Sequence, residues 1–320
     1  MLNTLYIDAG NPNALSKDHM YPYYGAIYRE LLNLGAVTTC HGYVANIKSL
    51  LSRVDTNFDC IVYGLGYFAV QDPVWFGKVE GLSELDIPVV AMLHKPQHLL
   101  QEKLNFCRLN KIDFLFYPDI TCKEYATQVG AHPIKTWHTA DPNIFHPREV
   151  EKEYDLGFSG ALHSGDKVKG PAQNIRPRVH ETLLKNGSYK MFWNGSDSVA
   201  PRIKNLNEYA AYINKSKIWL ATTGPCGFIG PRYFEVMMSK TLLLCNDMPL
   251  QYGDVFVDGE NCVIFKNDLS DLTEKIDHFL SDREDLERVA ENGYDLAVNH
   301  FTWKHMAIEL IEKIKGMSDV

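Results

Sequence analysis

Gly230-Pro-Arg-Tyr-Phe-Glu-Val-Met-Met-Ser-Lys-Thr-Leu-Leu-Leu-Cys-Asn-Asp247 reads as a helix followed by a buried strand. Pro231 has a fixed φ and no N–H, which suits a first helical turn. Leu242–Cys245 is a short apolar run bounded by polar residues, as expected of a parallel strand covered on both faces. Upstream, Ile218–Ala221 is another such run, and the loop between it and Pro231 holds Gly224, Gly227 and Gly230. Strand, loop, helix and strand in this order make a βαβ unit. Gly230 would leave N–H groups free at the positive end of the helix. Arg232 in the first turn could clamp a phosphate, and Glu235 one turn on could accept hydrogen bonds from a ribose diol. A glycine loop is equally at home in an ordinary strand–loop–helix, so spacing alone does not decide between the two.

The same alternation extends in both directions. Upstream, the pattern predicts strands at Thr4–Ile7, Ala36–Thr39, Phe58–Tyr63, Val89–Leu93, Asp113–Tyr117 and Ile134–Trp137. A helix carries Tyr24, Ile27, Tyr28, Leu31 and Leu32 on one face. After Pro147 the charged run Arg148-Glu-Val-Glu-Lys-Glu-Tyr breaks the pattern and reads as a linker. Strands then resume at Asp155–Ser159, Lys190–Trp193, Ile218–Ala221, Leu242–Cys245 and Val263–Phe265. Helical faces follow at Leu272, Ile276, Phe279 and Leu280, and finally at Trp303, Met306, Ala307, Leu310, Ile311 and Ile314. The expectation is two Rossmann-like α/β domains in tandem, residues 1–147 and 154–300, with a closing helix at 301–320. Ligands of such domains lie at the carboxyl ends of the strands, here in a cleft between the domains.

At 320 residues the chain is long enough for two domains. Its 45% hydrophobic and 22% charged residues exclude a disordered or collagenous chain. The net charge of −8 argues against a uniformly cationic nucleic-acid binder. No apolar run reaches the roughly 18 residues of a membrane helix. The start has neither a basic region nor a long apolar one, so no signal peptide is expected and the expected location is the cytoplasm. Seven scattered cysteines without a C-x-x-C pair fit reduced, buried thiols and give no zinc site. P-loop, G-x-G-x-x-G, G-x-S-x-G and H-E-x-x-H signatures do not occur.

Charge is uneven. From Asp166 to Lys204, eight Lys and Arg face three Asp and Glu, a local +5. The run follows a predicted strand ending Phe158-Ser159-Gly160, and Gly165 and Gly170 permit close backbone approach to an anion. A phosphate or diphosphate there would meet Lys or Arg side chains of the run and free backbone N–H groups, against the plainer reading of a solvated helix face. In the first half, His94 follows the strand Val89–Leu93. It is a candidate general base or acceptor ligand. Asp119 follows the next strand and is the second catalytic candidate. Either could equally be a hydrogen-bonded loop residue.

The segment Gly230–Asp247 resembles the donor-binding segment of GT-B glycosyltransferases, closest to the CgeB-like group allied to glycosyl transferases group 1. Those carry an R-x-F-E-x-x-A-x-G-type helix followed by an apolar strand. Met238 and Lys240 stand where that pattern has Ala and Gly. Further matches, in order, are Ala140-Asp-Pro-Asn-Ile-Phe-His-Pro147, Tyr154-Asp-Leu-Gly-Phe-Ser-Gly160, Phe256-Val-Asp-Gly-Glu260 with its downstream Phe265 and Leu272, Ala290-Glu-Asn-Gly293, and Thr302-Trp303. They span about residues 138–315.

The resemblance implies a GT-B architecture, α/β, with two Rossmann-like domains facing across a cleft. The first would be the acceptor domain and the second the donor domain, with a C-terminal helix crossing back to the first. It implies a nucleoside-diphosphate sugar, a UDP-sugar by preference, bound by Gly160, Lys167 or Lys169, Arg176 or Arg178, Gly230, Arg232, Tyr233 and Glu235. It also implies hexosyl or pentosyl transfer to a hydroxyl with retention, with no cofactor and no metal. Glu235 matches the second Glu of the family's Glu-x7-Glu motif, and Gly227 occupies the place of the first. The acceptor is open among a cell-surface or spore polymer, a protein, a small molecule and a modified base of phage DNA. The first 150 residues carry 12 Lys and Arg against 15 Asp and Glu, which lowers the DNA reading. The alternatives are a non-catalytic nucleotide-sugar-binding protein of the same fold and a different two-Rossmann enzyme, such as an epimerase or phosphorylase.

Overall fold

The computed structural model describes residues 2–10, 20–54, 56–96, 98–119, 121–160, 162, 175–195, 203, 205–224, 227–249 and 252–318. The chain divides into two compact units. Unit 1 is Met1–Trp137 with Trp303–Val320, and unit 2 is His138–Thr302.

Unit 1 holds β1 (Asn3–Asp8), α1 (Met20–Leu34), β2 (Ala36–His41), α2 (Ile47–Leu51), β3 (Cys60–Tyr63), β4 (Val89–Met92), α3 (Leu100–Leu109), β5 (Phe114–Tyr117), α4 (Cys122–Val129) and β6 (His132–Lys135). Unit 2 holds β7 (Tyr154–Ser159), α5 (Ile175–Asn186), β8 (Met191–Asn194), α6 (Leu206–Asn214), β9 (Ser216–Ala221), α7 (Arg232–Met238), β10 (Leu242–Asn246), β11 (Val263–Phe265), α8 (Leu272–Ser281) and α9 (Arg283–His300). The closing helix α10 (Trp303–Ser318) returns to unit 1.

The strands of unit 1 form one parallel sheet in the order β2-β1-β3-β4-β5-β6. Those of unit 2 form a second, in the order β11-β10-β9-β7-β8. β3, β4 and β5 are buried at every position, as their unbroken apolar sequences require. One face of the first sheet is covered by a core including Phe68, Phe76, Phe106 and Leu115. The other face takes Ile27, Tyr28 and Leu31 of α1 together with Trp303, Met306, Ala307, Leu310 and Ile314 of α10. Fully burying an aliphatic side chain of this size contributes roughly 1.5–3 kcal/mol, enough to hold α10 on unit 1.

Three expectations need correction. Leu32 is 41% exposed, because Ile27, Tyr28 and Leu31 already fill the buried face of α1. The run Arg148–Tyr154 is not a free linker: Arg148 N donates to Asn214 Oδ1 at 2.8 Å, and Glu153 N and Tyr154 N both donate to the Lys215 carbonyl. Residues 138–147 pack with unit 2 rather than with the first 137. Thr139 Oγ1 donates to the Phe301 carbonyl, Ala140 bridges Thr302, and Phe145 lies against Tyr209.

Candidate functional site

In an open parallel sheet, ligands bind at the carboxyl ends of the strands where the winding reverses. In unit 2, β7 is followed in sequence by β8 on one side of it and β9 on the other, so the reversal lies between β7 and β9. Two chain ends emerge there, Ser159-Gly160 after β7 and Thr222 after β9.

Two arginines converge on this point. Arg176 comes from the start of α5 and Arg232 from the start of α7. A Cβ built on Gly160 would lie 3.3 Å from Arg176 Nη1 and 3.4 and 3.5 Å from the two Nη atoms of Arg232. Gly160 also has a φ of +129°, so both its backbone and its surroundings require glycine. Arg176 is fixed by Nε donating to Thr222 Oγ1 at 2.8 Å and Nη2 donating to the Thr222 carbonyl at 3.3 Å. Burial, followed by the charge of Arg232, brings the Arg176 guanidinium down to about 10. Arg232 Nε is buried with no hydrogen-bond partner among the described residues. Two guanidinium groups held together over a bare backbone make a strong anion site, with fork geometry suited to phosphate oxygens.

Tyr209, from α6, extends the cluster. Its hydroxyl lies 2.7 Å from Ser159 Oγ, and the phenol interacts electrostatically with Arg232 and Glu235. Burial raises the Glu235 carboxyl to about 7, against the opposing pull of Arg232 and the Tyr209 hydrogen bond. Tyr233 is buried beside the same arginines, packed edge-on to Phe256 at 5.4 Å. Gly230 faces open space where a side chain would stand.

The sequence candidates thus separate. Gly160, Arg176, Arg232, Tyr233 and Glu235 come together. Arg178 does not join them: its guanidinium donates to the Asn267 and Asp268 carbonyls at 3.1 and 3.2 Å. Lys167 and Lys169 lie outside the described residues. The sequence reading missed Ser159, Thr222 and Tyr209. Tyr209 sits within an amphipathic helix and reads as an ordinary core aromatic. Ser159 and Thr222 stand at strand ends, where only the topology marks them.

The unit 1 candidates stand at the ends of neighbouring strands. His94 follows β4 and is 8% exposed. Its carbonyl accepts from Lys103 Nζ at 2.8 Å, and the next carbonyl, Lys95, accepts from the same ammonium at 3.1 Å. Lys103 is itself buried, and burial brings its amine down to about 8. Asp119 is 1% exposed, and its carboxylate accepts from Thr121 N at 3.3 Å just ahead of α4. This is the placement of a turn-closing residue at a helix start.

Comparison with known proteins adds to this geometry. Residues 173–312 match the family model described as glycosyl transferase-like. Among curated proteins no sequence matches. The structure is similar to sucrose-phosphate synthase from Thermosynechococcus elongatus, with a TM-score of 0.64 at 11% identity over 100% of both chains. It is similar to a glycosyltransferase from Rickettsia africae, with a TM-score of 0.61 at 12% identity over 98% of both chains. A third likeness is to HepE from Anabaena in complex with UDP-glucose, with a TM-score of 0.58 at 13% identity over 99% of this chain and 100% of that one. The chain therefore has the GT-B glycosyltransferase fold, and its residues 173–312 carry the glycosyl transferase-like segment.

Proposed function

We propose that this protein is a glycosyltransferase that takes a nucleoside-diphosphate sugar, a UDP-sugar first, in unit 2 and passes the sugar to a hydroxyl. The observation that carries the reading is the convergence of Arg176 and Arg232, both inside the glycosyl transferase-like segment 173–312, on Gly160 at the winding reversal of unit 2. Binding of UDP-glucose by the HepE neighbour supports the choice of base.

The chemical demand is to stabilise a diphosphate leaving group while the anomeric carbon becomes oxocarbenium-like. Two prepositioned guanidinium groups act on that developing charge without reorganising. They supply the positive charge for departure, so the reading requires no metal ion. Tyr209 fixes Ser159 at the strand end beside Arg232, and Glu235 accepts hydrogen bonds from the donor ribose. Unit 1 binds the acceptor, with His94 as the candidate group near the acceptor hydroxyl. Retention is the expected stereochemistry, on the strength of the family resemblance.

One observation favours the second reading, a binding protein without turnover. Gly227, which stands in place of the family's first Glu, has a φ of +78°, a conformation that disfavours a glutamate there. The experiment is release of UDP from UDP-glucose, followed with and without candidate hydroxyl acceptors. Acceptor-dependent release supports transfer. Tight UDP binding with no release under any condition supports the binding protein.

A further inference from the structure

Backbone pairing between β9 and β10 ends at Ala221 and Cys245. Thr222, which holds Arg176 through its hydroxyl and its carbonyl, is therefore the first residue beyond the ladder. A guanidinium anchored to a turn that has left the sheet is only as well placed as the turn itself.

One side chain takes over where the ladder stops. Asn246, the last residue of β10, is 2% exposed. Its Oδ1 accepts from Thr223 N at 2.8 Å, and its Nδ2 lies 3.3 Å from Thr223 Oγ1. The same Nδ2 donates to the Asp247 carbonyl at 2.8 Å and to Asn267 Oδ1 at 2.9 Å. Asn267 Nδ2 in turn donates to the Asp247 carbonyl at 3.0 Å. Thr223 is buried, so its N–H needs a protein partner, and Asn246 is that partner. One amide thus holds the loop after β9 and the loop after β11 against the end of β10. The sheet itself does not depend on it. β10 is already paired with β9 from Leu242 to Cys245 and with β11 from Leu244 to Asn246. What the side chain adds lies beyond the last β9–β10 backbone pair, on the turn that anchors Arg176.

We propose that Asn246 is a positioning residue for diphosphate binding: it fixes the Thr222–Thr223 turn and, through Thr222, the Arg176 guanidinium. Both amide protons are engaged by Asp247 and Asn267, and Oδ1 by Thr223, so Asn246 acts through the protein rather than on the ligand. A buried polar network of this kind orients its members only while it is fully satisfied. The inference rests on the proposed donor site and extends it to a residue that stands outside it.

The test is a double-mutant cycle on the full chain, read by calorimetry with UDP and with uridine: wild type, Asn246→Ala, Arg176→Gln and the double variant. Asn246→Ala should weaken UDP about three- to tenfold and uridine less than about twofold, because only the diphosphate meets Arg176. In the Arg176→Gln background the same change should cost UDP less than about twofold, since the group that Asn246 positions is gone. A purely structural role would not distinguish the two ligands and would persist without Arg176. Circular dichroism establishes that the variants are folded. Unchanged UDP affinity in folded Asn246→Ala, equal losses for UDP and uridine, or a UDP loss of the same size beside Arg176→Gln overturns the proposal. If Asn246→Ala does not fold, hydrogen exchange on the wild type decides. By the reciprocity of coupled equilibria, UDP and not uridine should slow exchange at the Thr223 amide, and equal exchange with both overturns the proposal. A wild type that binds UDP no better than uridine overturns the donor reading and this inference with it. A wild-type preference for UDP that Asn246→Ala leaves intact overturns this inference alone.

Discussion

The Tyr209 hydroxyl and Ser159 Oγ lie 2.7 Å apart, joining a helix to the end of the first strand of unit 2 at the point where two arginines converge. The pair is buried, and the same phenol lies within electrostatic reach of Arg232 and Glu235. One phenol thus joins the strand end that approaches the anion and stands beside a cation that would hold it. Tyr209→Phe keeps the ring and removes the hydroxyl. We expect a loss of about 1–2 kcal/mol in stability, from the buried partners left unsatisfied. UDP affinity should fall about three- to tenfold as the strand end beside Arg232 loses its support. Chemical denaturation and calorimetry on the same preparation check both. Unchanged affinity would make Tyr209 a packing residue only.

Gly160→Ala puts a methyl group among the guanidinium nitrogens and forces an alanine to a φ that side chains rarely adopt. Strain of roughly 1–3 kcal/mol is expected. The functional loss should be selective. UDP should weaken by more than about tenfold while uridine changes little, because only the diphosphate meets the displaced arginines.

Glu235 gives a pH signature. Its carboxyl is raised from 4.5 to about 7, so between these values the folded protein keeps a proton that the unfolded chain has lost. Stability therefore falls as pH rises through that window, and the full penalty is present above about 7. Glu235→Gln removes it. The variant should match the wild type in acid and exceed it on the order of 2 kcal/mol above neutrality, while binding UDP more weakly through loss of the ribose contact. Melting curves across pH check the first part, and a stability difference independent of pH would contradict it.

Leu310 is fully buried in α10, against the sheet of unit 1. Leu310→Ala should cost about 2–5 kcal/mol through transfer and cavity effects. Hydrogen exchange should show the loss as faster exchange in α10 and α1. Loss confined to unit 2 would contradict the assignment of this helix.

Much of this was legible in the sequence because parallel strands announce themselves. Leu242–Cys245 and Phe114–Tyr117 are apolar throughout, and each forms a strand with both faces covered. Residues 138–147 were harder to place, since their attachment to unit 2 runs through Thr139, Ala140 and Phe145 to partners distant in sequence. Within the site, Arg232 and Glu235 stood out because a Pro-initiated helix after a glycine loop carries them. Arg176 and Arg178 were indistinguishable, because residues two apart on a helix point in different directions and nothing local says which one faces the sheet end.

The most direct test of the central claim is calorimetry of UDP and of uridine on Arg232→Gln, with Arg178→Gln as the neighbouring-charge control. Arg232→Gln should weaken UDP by about 10- to 100-fold, the range for a lost charge-assisted hydrogen bond. Uridine should stay within about twofold, and Arg178→Gln should bind both as the wild type does. Equal losses for UDP and uridine in Arg232→Gln, or a selective UDP loss in Arg178→Gln with none in Arg232→Gln, would contradict it.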